Sequence, residues 1–134
     1  MHQIVMDVAS NYLNCGHHIY MDNLFSSPSL YEELVANQTG ACGTLRANRR
    51  GVPDAIKVHK PKKGDEPLVL KEGELAFISW ADKRPVKLIT LIHNGSTFVK
   101  EVRARNGPDH RRRYTKPKAI KHYSKNMGGV DLAD

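Results

Sequence analysis

The sequence predicts an α/β protein, in which a helix–strand–helix–strand unit opens the chain and a small antiparallel β module precedes a last helix. Three observations predict it. Apolar residues over positions 2–13 recur at helical spacing, and β-prone runs at 17–21 and 39–45 flank a second helical stripe. Three further strand-like runs between 67 and 93 are separated by turn residues. At 134 residues there is room for one domain with a core and not for two comfortable ones.

The first helix rests on Ile4, Val5, Val8, Tyr12 and Leu13, which share one face, and Gly16 supplies a C-terminal stop. His17 to Met21 reads as a short strand around Ile19 and Tyr20. Ser26-Ser27-Pro28 then offers an N-cap with proline in the first turn, and Leu30, Leu34 and Val35 form the stripe of the second helix. Glu32 and Glu33 sit early in that helix, where negative charge suits the macrodipole. Thr39 to Leu45 is a second strand whose small residues permit close packing. With such short connections through a helix, the two strands are expected to run parallel.

The texture changes at Arg46. Residues 46–67 are turn-rich and basic, and beyond them Pro67–Lys71, Leu75–Trp80 and Val86–His93 read as strands. Lys71-Glu72-Gly73-Glu74 and Asp82-Lys83-Arg84-Pro85 are the intervening turns. Thr97 to Val102 adds a fourth strand after the Asn94-Gly95 turn. Residues 103–117 read as a basic linker, with a final helix beginning near Ala119 or Met127.

No apolar run approaches the roughly 20 residues of a membrane helix. Met1-His2-Gln3-Ile4 also lacks the basic-then-apolar layout of a secretory signal, so an intracellular protein is expected, with no membrane partner. Cys15 and Cys42 have neither metal-ligand spacing nor the density of a disulfide scaffold; reduced, buried thiols are expected. The net charge of +7 is unevenly spread. Residues 1–45 hold four acids (Asp7, Asp22, Glu32, Glu33) and no Lys or Arg, whereas residues 99–125 hold ten basic residues against Glu101 and Asp109. Such a basic half suits a polyanion, because neutralising phosphates releases counterions. A solvated loop or a nuclear-import patch would account for Arg111-Arg112-Arg113 as well.

Two aspartates occupy positions suited to metal chemistry. Asp22 falls at the C-terminal end of a predicted strand, the edge where open α/β sheets carry their sites. Asp131 follows Gly128-Gly129, a pair that lets the backbone turn tightly into a helix. Taken singly, each is more commonly a turn or helix-start acid than a metal ligand. The lone Trp80 in a β run is a core residue or a platform for a flipped base, the first being commoner. His17 and His18 point to opposite faces of a strand and would not share a metal.

Five segments in one order join the two aspartates. They are Asp22-Asn23-Leu24-Phe25-Ser26-Ser27, Gly43-Thr44-Leu45-Arg46-Ala47-Asn48-Arg49-Arg50-Gly51-Val52-Pro53, Trp80-Ala81-Asp82-Lys83-Arg84-Pro85-Val86, Lys116-Pro117, and Tyr123-Ser124-Lys125-Asn126-Met127-Gly128-Gly129-Val130-Asp131. Together they resemble the transposase domain of the piggyBac family and its host-derived, transposable element-derived relatives, from about His17 to the end. The resemblance implies part of an RNase H-like core of the DDE superfamily, with an aspartate triad interrupted by a β-rich insertion. On it, 1–46 is the RNase H-like α/β segment, 47–115 the insertion with its basic linker, and 116–134 the start of the last catalytic helix.

Asp22 matches the second triad aspartate and Asp131 the third; no motif for the first is found ahead of Asp22. The family's carboxylates would hold two Mg²⁺ ions roughly 3.5–4 Å apart, and hard oxygen ligands suit that ion. The family reaction is cut-and-paste DNA transposition: nicking at element ends, hairpin formation and insertion at TTAA. Transferred here, Asp22 and Asp131 are the catalytic metal ligands. Arg46, Arg49 and Arg50 are phosphate contacts, and Arg111, Arg112, Arg113, Lys116, Lys118 and Lys121 line a DNA channel. The expected product is a transposase fragment without activity of its own, with weak or absent Mg²⁺ binding, acting on DNA in the nucleus, with homodimerisation allowed. The alternative is a host-retained DNA-binding module without catalysis.

Overall fold

The structure, a computed structural model, describes residues 2–13, 16, 18–81, 84–93, 97–103 and 111–133, with the backbone alone at 97–103, 111–115 and 127–133. Helix α1 (His2–Ala9) continues into a 3₁₀ turn over Ser10–Tyr12. Strand β1 (His18–Met21), helix α2 (Pro28–Ala36) and strand β2 (Gly40–Thr44) follow, and β1 pairs with β2 in parallel, as the element order requires. Ser27 caps α2 by accepting from the Leu30 N–H, with Pro28 in the first turn.

The next three strands do not form a separate module. Strands β3 (Leu68–Glu72), β4 (Leu75–Ala81) and β5 (Pro85–Thr90) extend the same sheet in the order β1-β2-β5-β4-β3, with β5 antiparallel to β2. Gly73 and Glu74 are the two-residue loop between β3 and β4, and Gly73 takes the positive φ of 60° that such a loop needs. Helix α3 (Asp54–Val58), absent from the sequence reading, precedes them. His59 at its end bonds through Nδ1 to the buried Ser79 Oγ at 2.7 Å, and Lys87 Nζ donates to the His59 carbonyl, which ties α3 to β4 and β5.

The sheet is covered on both faces. Met21, Ala41, Leu75, Phe77 and Ile89 meet Met6 of α1, Leu30, Tyr31 and Leu34 of α2 and Ile56 of α3. On the other face Cys42, Ile78, Trp80 and Leu88 meet Ala119 and Ile120 of helix α4 (Lys118–Ala133). Neighbouring strand residues alternate between these clusters, as the pleat demands. All of β4 is buried. Trp80, 3% exposed, is therefore a core residue, and base stacking is ruled out for it in this fold. Cys42 is a buried free thiol, as expected, pushed up to about 11 by burial; Cys15 lies outside the described residues.

Three expectations are corrected. The basic segment 103–117 contains strand β7 (Arg111–Pro117), antiparallel to β6 (Thr97–Arg103), so a backbone ladder holds residues whose composition had suggested a linker. Helix α4 starts at Lys118 and runs through Gly128 and Gly129, so these glycines are not its entry turn and Asp131 lies in its last turn, not its first. The apolar face of α1 divides. Val5 and Leu13 pack against the core, whereas Ile4, Val8 and Tyr12 are exposed and line a groove of about 490 Å³ with Ile19, Met21 and Phe25. No helix among the described residues is long and apolar enough to cross a membrane.

Candidate active-site edge

Parallel strands β1 and β2 end side by side, Met21 opposite Gly43, and the chain turns at Asp22. That turn is heavily bonded. The Asp22 carbonyl accepts from the Phe25 and Ser26 N–H groups, both at 3.2 Å, and from Ser26 Oγ at 3.1 Å. Asp22 Oδ1 accepts from the Leu24 N–H at 3.0 Å, an Asx turn that fixes the carboxylate at the exposed sheet edge. Ser26 is fully buried, and its Oγ lies 3.3 Å from the Tyr31 hydroxyl. Burial holds the Tyr31 phenol well above its ordinary range, so it stays a neutral hydroxyl.

Gly43 makes this seating possible. A Cβ there would lie 2.4 Å from the Met21 carbonyl oxygen, 2.4 Å from Ser26 Oγ and 2.7 Å from the Tyr31 hydroxyl. The contact between Gly43 and Ser26 is not apparent from the sequence. The signal available was a glycine opposite a strand end.

The basic residues predicted for DNA separate into groups. Arg46 and Arg50 are exposed on the segment after β2, beside the Asp22 turn. Arg49 between them instead turns inward, and its Nη2 donates to the carbonyls of Asn23 and Leu24 at 3.2 and 2.7 Å. Lys116, at the end of β7, holds its Nζ 6.0 Å from the Trp80 ring centroid, at the limit of a cation–π contact. Lys118 and Lys121 are exposed on the first turns of α4. Arg111, Arg112 and Arg113 lie on β7, and Asp131 on α4, with side chains outside the described residues. Helix α4 packs across β1, β2 and β5, and Tyr123 bonds to Thr44 Oγ1 at 3.4 Å, so the helix bearing Asp131 crosses the strand that ends at Asp22. Among the described residues no three His, Cys, Asp or Glu side chains converge on a common point.

A second link on α4 was also missed. His93, after β5, and His122 of α4 are hydrogen-bonded between Nε2 and Nδ1 at 2.7 Å, while His93 Nδ1 bonds to Thr90 Oγ1 at 3.0 Å. Burial, then the nearby His122 and His18, hold the His93 imidazole below its ordinary value of 6.5. Below pH 6.5 the folded protein thus binds fewer protons than the unfolded chain, and stability is lost from there down through the lowered folded value. The melting temperature is expected to fall as the pH is lowered from 7 to 5, and His93→Gln to flatten that slope. An equal slope in the variant would assign the effect to other groups.

The family profile described as Transposase IS4 matches residues 1–134. The chain belongs to that transposase family. A solved cryo-EM structure of the piggyBac transposase synaptic complex with hairpin DNA has the same fold, with a TM-score of 0.72 over 98% of this chain at 22% identity. The match covers 26% of that protein, so this transposase-family chain spans about a quarter of the length of its solved counterpart. The expected α/β, RNase H-like class and the piggyBac resemblance both hold for it.

Proposed function

We propose that this chain forms part of the catalytic core of a piggyBac-type DNA transposase, with Asp22 and Asp131 as two of its metal-binding carboxylates. The observation that carries this is the seating of Asp22, whose carboxylate is held by an Asx turn at the exposed C-terminal edge of β1, a strand that α4 packs across. The donor chemistry fits a hard divalent ion such as Mg²⁺, because a carboxylate oriented by one backbone N–H retains acceptor capacity for a cation. Bound there, the metal would supply charge for activating a nucleophile and stabilising a leaving oxygen.

On this reading the protein's own part is to hold the carboxylates at the sheet edge and to offer Arg46, Arg50 and the α4 lysines to the phosphate backbone. DNA ends with TTAA targets, a nuclear location and pairing of two copies belong to the same proposal. On the aspartate triad that the resemblance implies, strand cleavage and transfer use a third carboxylate besides the two assigned here.

Paramagnetic broadening by Mn²⁺ tests the assignment. Amide signals of residues 22–24 are expected to broaden in the wild type and much less in Asp22→Asn, with no cleavage of a TTAA-flanked element end by the chain alone. Equal broadening in the two proteins would remove Asp22 from the metal site. Cleavage abolished by Asp22→Ala would overturn the proposed inactivity.

A further inference from the structure

We propose that Arg49 is the positioning residue of the Asp22 turn, and that its charge is committed to the protein instead of to DNA phosphate. This rests on the reading of Asp22 as a metal ligand. The Leu24 residue is held from both sides: its N–H donates to Asp22 Oδ1, and its carbonyl accepts from Arg49 Nη2 at 2.7 Å. The same Nη2 reaches the Asn23 carbonyl at 3.2 Å, so one guanidinium nitrogen fixes two successive peptide groups of the loop that aims the carboxylate.

The Asp22 carbonyl already accepts from three donors, and Ser26 is locked against Gly43 and Tyr31. The Asn23 and Leu24 carbonyls take no part in those bonds, and Arg49 Nη2 donates to both. Its own backbone is pinned, with the Arg49 N–H donating to the Arg46 carbonyl and the Val52 N–H to the Arg49 carbonyl. Arg49 Nε is buried with no hydrogen-bond partner in the structure, a cost that a guanidinium serving phosphate would avoid by keeping its fork in water. Arg46 and Arg50 are exposed on either side and fill that other role.

The test compares wild type with Arg49→Ala and with Arg49→Gln, which keeps much of the apolar stem. Amide hydrogen exchange at residues 23–26 is expected to rise about ten-fold in both variants while β4 amides keep their protection. Added guanidinium ion should restore protection in Arg49→Ala. Mn²⁺ broadening at residues 22–24 should weaken in both variants although a positive charge has been removed, the reverse of a purely electrostatic effect. The slope of log affinity against log salt for duplex DNA should match wild type. Unchanged exchange in the turn would overturn the proposal, as would a slope reduced by about 0.9, the loss of one phosphate contact. Failure of the Asp22 metal reading would show separately, as wild-type signals that Mn²⁺ leaves sharp.

Discussion

Gly43→Ala is expected to destabilise the protein by about 3 kcal/mol, at the upper end of ordinary overpacking, and to lower the melting temperature by about 10 °C. The new methyl would stand 2.4 Å from the Met21 carbonyl oxygen, a backbone atom held by the parallel pairing of β1 and β2. It would also stand 2.4 Å from Ser26 Oγ and 2.7 Å from the Tyr31 hydroxyl, both on side chains with no exposed surface. None of the three can swing into solvent. Tyr31→Phe in the Gly43→Ala background removes the 2.7 Å contact and should recover less than half of the loss, because the backbone contact persists. The effect also reaches the site, since Ser26 Oγ donates to the Asp22 carbonyl and any shift of Ser26 is felt at that turn. A melting temperature unchanged in Gly43→Ala would mean that β2 does not sit against the Asp22 turn as described.

The contrast between Gly43 and Arg49 shows how far the sequence could be read. The parallel pair β1–β2 was legible because capped helices with short connections leave few topologies. The hairpin strands were legible from Gly73 and the runs around it. Membership of β3–β5 in the same sheet was not, since the pairing of β5 with β2 joins Thr90 to Cys42, residues 48 positions apart. A usable signal was the unbroken run Leu75-Ala76-Phe77-Ile78-Ser79-Trp80-Ala81, which reads as a strand buried on both faces.

Strand β7 escaped because its ladder is made by backbone groups, which basic side chains conceal from a reading by apolar alternation. Helix α4 runs on through Gly128-Gly129, whose propensity cost is about 1 kcal/mol each, because packing of Ala119, Ile120 and Tyr123 fixes its first turns and extension from a formed helix is easy. The position of Asp22 at the end of a strand was legible from the residues around it. The inward turn of Arg49 was not, because a basic residue after a strand serves equally as clamp or phosphate contact until the neighbouring loop is in place.

Trp80→Ala should be the most damaging truncation on the α4 face, costing about 3–5 kcal/mol. Trp80 belongs to the cluster of Cys42, Ile78, Leu88 and, from α4, Ala119 and Ile120, against which the partly buried Tyr123 also packs. Its removal takes away the largest buried member of the cluster on which α4 rests, so the helix is expected to loosen before the sheet does. Amides of residues 118–126 should then lose exchange protection well below the global melting temperature, while Phe77 and its neighbours on the opposite face stay protected. Trp80→Phe keeps most of the ring and should recover the larger part of the stability. Uniform loss of protection on both faces of the sheet would instead make α4 and the α1–α3 layer one cooperative unit. Under the proposed metal assignment the outcome bears on the site, because Asp131 rides on α4. If the indole holds that helix against the sheet, a core residue governs how firmly the second carboxylate can approach the edge where Asp22 is fixed. Metal affinity would then fall in Trp80→Ala with neither carboxylate altered.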